Sequence, residues 1–132
     1  MSDLTNLLND LFSFVAYEKK EIENNLFNFD QLRSDPISYY YFTGRYRRLN
    51  EFESIIRKLK HDFFESTEDL GDPSSVNFLD RLYQRCLEIK FGISNSYLNG
   101  QAQNEHQIFN LLGENESYNH LLSHILDLRG KA

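Results

Sequence analysis

The residues whose types and spacing best suit chemistry are Glu116, His120 and His124, within the run ENESYNHLLSH. A spacing of four puts the two imidazoles on one face of a helix, with the carboxylate one turn earlier on that face. Imidazole nitrogens and carboxylate oxygens are ligands for zinc or iron, so the three could form part of a metal site. A zinc-hydrolase helix needs a glutamate directly after the first histidine, and Leu121 stands there. His106 could join only if the chain folds back. The simpler reading is a pair of solvated helix-face histidines, and no resident cofactor is expected.

A second constellation runs from Tyr39 to Arg48. It joins Tyr39, Tyr40 and Tyr46 to Arg45, Arg47 and Arg48. Aromatic rings beside guanidinium groups hold single-stranded nucleic acid by stacking and phosphate contact. On a helix, however, Tyr39, Phe42 and Tyr46 share one face, which makes them core or interface residues. A net charge of −6 also opposes binding to a polyanion. That charge is uneven: residues 33–61 hold seven basic and three acidic side chains inside an acidic chain. The pattern suits an acidic partner or self-association, or else mutual neutralisation across the folded molecule.

Catalytic machinery is otherwise missing from the sequence. Arg57 and His61 stand four apart, and no catalytic assignment follows from the pair. The single Cys86 excludes an intramolecular disulfide and any cysteine-based zinc site. It falls at an apolar helical position, where a lone cysteine acts as a small core residue. There is no glycine-rich phosphate loop, and the carboxylates are scattered rather than set against a base.

Helices must position all of these residues. In YYYFTGRYRRLNEFESIIRKLKHDFF, Phe42, Leu49, Ile56 and Phe63 recur every seven residues, with Phe52 and Leu59 between them. This is an apolar seam of coiled-coil type with one irregular site, Arg45. It predicts a long second helix over 36–66, opened by Asp35-Pro36. Gly44 weakens its early part by about 1 kcal/mol, or else admits a close approach by another helix. Before it, Leu4, Leu7, Leu8, Leu11, Val15, Ile22 and Leu26 predict a first helix over 3–27, with Ser2 or Asp3 as cap and a lapse in the stripe at Glu18. Residues 24–35 show no clean period and read as a connection, with Phe27, Phe29 and Leu32 tucked under a helix. Residues 66–75 read as an acidic loop. A third helix follows to about residue 98, stopped by Asn99-Gly100. Residues 101–106 are polar and patternless. A short apolar helical piece then ends at Gly113, and a final helix covers 114–128.

With 132 residues, 40% apolar side chains, two prolines and six glycines, these elements predict one domain spanning 1–132. The expected fold is all-α: an up-and-down bundle of four main helices plus one short helix, organised on the long second helix. No run of about 18 apolar residues exists to span a membrane. The acidic N-terminus lacks the basic start of a secretory signal, so the cytosol is the expected location. The expected function is a non-catalytic protein–protein interaction module: an adaptor, a small subunit or an antagonist of a larger complex. Extra apolar surface near the start of the second helix predicts a homodimer, with Tyr39, Tyr40, Tyr46 and Arg47 near its interface. The competing arrangement packs these tyrosines under the connection at residues 24–35 within one monomer.

Overall fold

A computed structural model describes residues 2–65, 75–100 and 104–131. Four long helices dominate: α1 (Ser2–Leu26), α3 (Ile37–Glu65), α4 (Ser75–Leu98) and α5 (Glu105–Lys131), with a six-residue α2 (Phe29–Ser34) between the first two. No strand occurs among the described residues. None of the described helices is long and apolar enough to cross a membrane. The loop expected at 66–75 lies almost wholly outside the described residues, as do residues 101–103 of the polar connector.

The helix ends follow from local chemistry. The Asp35 carbonyl accepts the Ser38 N–H at 3.3 Å and the Ser38 hydroxyl at 2.8 Å, which closes the first turn around Pro36 and starts α3. Asn104 caps α5: its side-chain oxygen accepts the Gln107 N–H at 2.9 Å, satisfying a donor that has no partner inside the helix. Gly100 ends α4 with a φ of +72°, the left-handed conformation expected of it.

Two expectations need correction. Phe29–Ser34 is helical, so the short helix lies there and not at residues 108–113. Phe27 is 70% exposed instead of tucked under a helix. Gly113 does not break the chain either; α5 runs through it without interruption. The reason lies across the interface. A Cβ built on Gly113 would stand 1.9 Å from the Tyr41 carbonyl oxygen, and one on Gly44 would stand 2.2 Å from the Asn110 carbonyl oxygen. Both glycines serve a backbone-to-backbone crossing of α3 and α5. That close contact offsets the helix propensity each glycine gives up.

Contacts give the direction of each helix. Tyr40 meets His106, Arg45 meets Ser117 and Glu51 meets Tyr118, so α3 and α5 run parallel. Glu23 meets Tyr46 while Phe12 meets Arg57, so α1 is antiparallel to α3. Asp80 meets Arg129 while Lys90 meets Asn119, so α4 is antiparallel to α5. The topology is therefore up-down-up-down, and α3 and α5 are its diagonal pair. In a square bundle the diagonal helices stand apart. Here the glycines bring them together, and α1 and α4 lie on either side. One continuous core draws on all four, including Leu11 and Ile22 of α1, Phe52 and Ile56 of α3, Phe78 and Cys86 of α4, and Tyr118 and Ile125 of α5.

Candidate functional site: a buried charge network beside an apolar groove

Just past the glycine crossing, α1, α3 and α5 place charged side chains where core residues belong. Arg45 is 9% exposed and Glu18 is 8% exposed. The Arg45 Nη2 lies 3.4 Å from Glu18 Oε2, and the other Glu18 oxygen lies 2.8 Å from His120 Nδ1. Arg45 Nη2 is also 3.3 Å from that Nδ1. One ring nitrogen cannot donate to a carboxylate and accept from a guanidinium at once, so the shorter contact assigns its hydrogen to Glu18. The other ring nitrogen of His120 faces Glu116 Oε1 at 2.8 Å. Ser117 donates its hydroxyl to the Arg45 carbonyl at 2.9 Å. The Tyr41 ring packs beside the Arg45 guanidinium, 5.9 Å from ring centre to cation. Burial raises the Tyr41 phenol above its usual range, with Arg45 pulling the other way.

A second set extends the network along α3. Glu114, 4% exposed, receives the Arg47 guanidinium and stands 3.3 Å from Arg48 Nε. Arg48 Nη1 reaches both oxygens of Glu51 at 2.9 Å, and the buried Tyr118 hydroxyl donates to Glu51 as well. Burial by itself lowers the pKa of Arg48; Glu114 and Glu51 outweigh it, and the net shift is upward. The Tyr118 phenol is pushed far up, by burial first and then by its bond to Glu51. All three arginines of the presumed partner-binding face are thus engaged with carboxylates of their own chain.

The tyrosines divide. Tyr46 donates its hydroxyl to Glu23 at 3.1 Å and lies under Lys19, inside the α1–α3 contact. Tyr40 stacks on His106 with ring centres 4.1 Å apart. Tyr39 leans edge-on against Tyr40 and stays 49% exposed. The metal trio also divides. Glu116 and His120 meet, whereas His124 stacks on Phe14 at 4.0 Å and turns its Nε2 to Asp10 at 2.7 Å. Among the described residues, no three His, Cys, Asp or Glu side chains converge as ligands. Cys86 is fully buried, and burial pushes its thiol up to about 12, out of nucleophile range.

The open feature lies beside the network, at the end of the bundle where α3 and α5 begin. A cavity of about 590 Å³ has Ile37, Tyr41, Phe42, Phe109 and Leu112 among its walls, with Asp35 and Glu116. A second, of about 300 Å³, lies between Ile93 and Leu98 of α4 and Leu111 and Leu112 of α5. Leu112 and Asn115 line both, which makes the two hollows one groove across three helices. Leu98 is 76% exposed and Leu112 is 45% exposed. The Asn115 side-chain oxygen is buried and has no hydrogen-bond partner. Periodicity does not reveal this groove, because Leu112 and Leu98 lie on different helices and meet only in the folded chain. Comparison of the chain with protein-family models, with curated proteins and with solved structures finds no match.

Proposed function

We propose that this chain is a non-catalytic helical interaction module, and that the groove formed by the start of α3, the start of α5 and the end of α4 is its contact face. One observation carries the reading: large apolar side chains stay in water along a concave surface, while the arginines nearby are engaged by carboxylates of the same chain. Concave apolar surface of this kind characterises partner sites. Self-association through Tyr39, Tyr40, Tyr46 and Arg47 is a second form of the same reading, supported by the 49% exposure of Tyr39. The metal and nucleic-acid readings gain no support from the geometry, since His124 faces Asp10 and the arginines face Glu18, Glu51 and Glu114.

Mild affinity capture of the chain from its own cells tests the proposal. The wild type is expected to retain a stoichiometric partner or a second copy. The Leu98→Ser/Leu112→Ser variant is expected to lose it at an unchanged thermal midpoint. A chain that elutes alone at 15.7 kDa in both forms overturns the reading.

A further inference from the structure

We infer that the occupant of the groove is a helix of a partner protein whose apolar face carries one arginine or lysine, with that cation seated against Asp35 and Glu116. The inference rests on the groove being the contact face. Every charged side chain lining the groove is acidic: Asp35 and Glu116 in the first hollow, and none in the second. Arg45 packs beside the Tyr41 ring and is engaged by Glu18. Glu116 gives one oxygen to His120, and its side chain is 40% exposed. Two carboxylates beside the Tyr41, Phe42 and Phe109 rings make a setting for a guanidinium or ammonium group, which carries only donors and is drawn to ring faces.

The shape favours a helix. Leu112 stands as a ridge between two hollows, so an amphipathic helix can seat one apolar side chain on either side of it. A second copy docked by two-fold symmetry would set this acidic rim against an identical one. An anionic membrane surface or a nucleic acid would meet the same repulsion.

The test uses the whole chain and a displayed library of random α-helical peptides, counter-selected on Leu112→Asp. Enriched peptides are expected to carry apolar residues at helical spacing with one basic residue among them. Changing that residue to glutamine should weaken binding to the wild type on the order of tenfold or more. On Asp35→Asn/Glu116→Gln, the same change should have little effect. Enrichment of neutral or acidic peptides overturns the inference and leaves the contact face standing, as does an equal loss on both forms of the chain. Failure to enrich anything over Leu112→Asp overturns the contact face itself. A chain that is dimeric in solution and becomes monomeric with Leu112→Asp shows a second copy in the groove and also overturns the inference.

Discussion

At the scale of single residues, the buried charges are placed by the same register as the core. Glu18 falls in the series Leu11, Val15, Ile22; Arg45 falls between Phe42 and Leu49; Glu114 falls between Leu111 and Tyr118. A charge at a core register requires an opposite charge nearby: Glu18 and Arg45 meet each other, and Glu114 meets Arg47 and Arg48. That signal was legible at Glu18 and Arg45, where the stripes visibly lapse. It was hidden at Glu114, because α5 was divided at Gly113. Removing one member strands the other: Glu18→Leu should cost about 3–5 kcal/mol in urea unfolding, and adding Arg45→Met should recover most of that loss. Additive losses in the double variant would refute the pairing. Cys86 supports a separate expectation at high pH. Its thiol rises from an ordinary value near 9 to about 12 in the folded chain. Its contribution is therefore fully present below about pH 9. Between the two values the unfolded chain has lost a proton that the native chain keeps, so stability falls by about 1.4 kcal/mol per pH unit for that group. Tyr118 adds to the decline from its own ordinary range upward. Cys86→Ala should make the fall in urea midpoint between pH 9 and 10 shallower, and an unchanged slope would show that the thiol titrates normally.

At the scale of the helices, the decisive contact is the parallel crossing of α3 and α5. Periodicity revealed the existence of α1, α3 and α4 with boundaries close to those observed, because their stripes are long and uninterrupted by proline. Gly44 was readable as a point of close approach; Gly113 read as a stop, since glycine serves both roles and only the facing backbone distinguishes them. The cap at Asn104 sat inside a polar stretch that shows no period. The crossing makes a graded prediction for three alanines. At Gly113 and Gly44 the new methyl meets a carbonyl oxygen of the opposite helix, which no rotamer change can relieve. Each substitution should lower stability by about 3 kcal/mol or more. Gly92, mid-α4, has nothing within 4 Å of an added Cβ, so Gly92→Ala should raise stability by up to about 1 kcal/mol. Calorimetric midpoints of the three variants check the order, and a tolerated Gly113→Ala would mean that the two backbones do not touch.

At the scale of the molecule, charge and apolar surface are arranged in opposite ways. The basic start of α3 lies against acidic residues of α1 and α5, which engage Arg45, Arg47 and Arg48 within the chain. Apolar surface is exposed singly at Tyr17, Phe91 and Leu126, and it lines a groove where the last turn of α4 and the first turns of α3 and α5 come together. Linear sequence could not show this, since Leu98, Leu112 and Ile37 belong to three elements and become neighbours only after folding. Within the chain, the Tyr40 ring is held by His106 and the Tyr46 hydroxyl by Glu23. The central claim is that the groove meets another protein surface, and site-specific photo-crosslinking tests it most directly. A benzophenone side chain placed at Leu112 in the chain's own cells should give one discrete adduct on irradiation, whereas the same group at Leu126, exposed near the far end of α5, should give none. Equal labelling at the two positions, or no adduct at Leu112, would contradict the account.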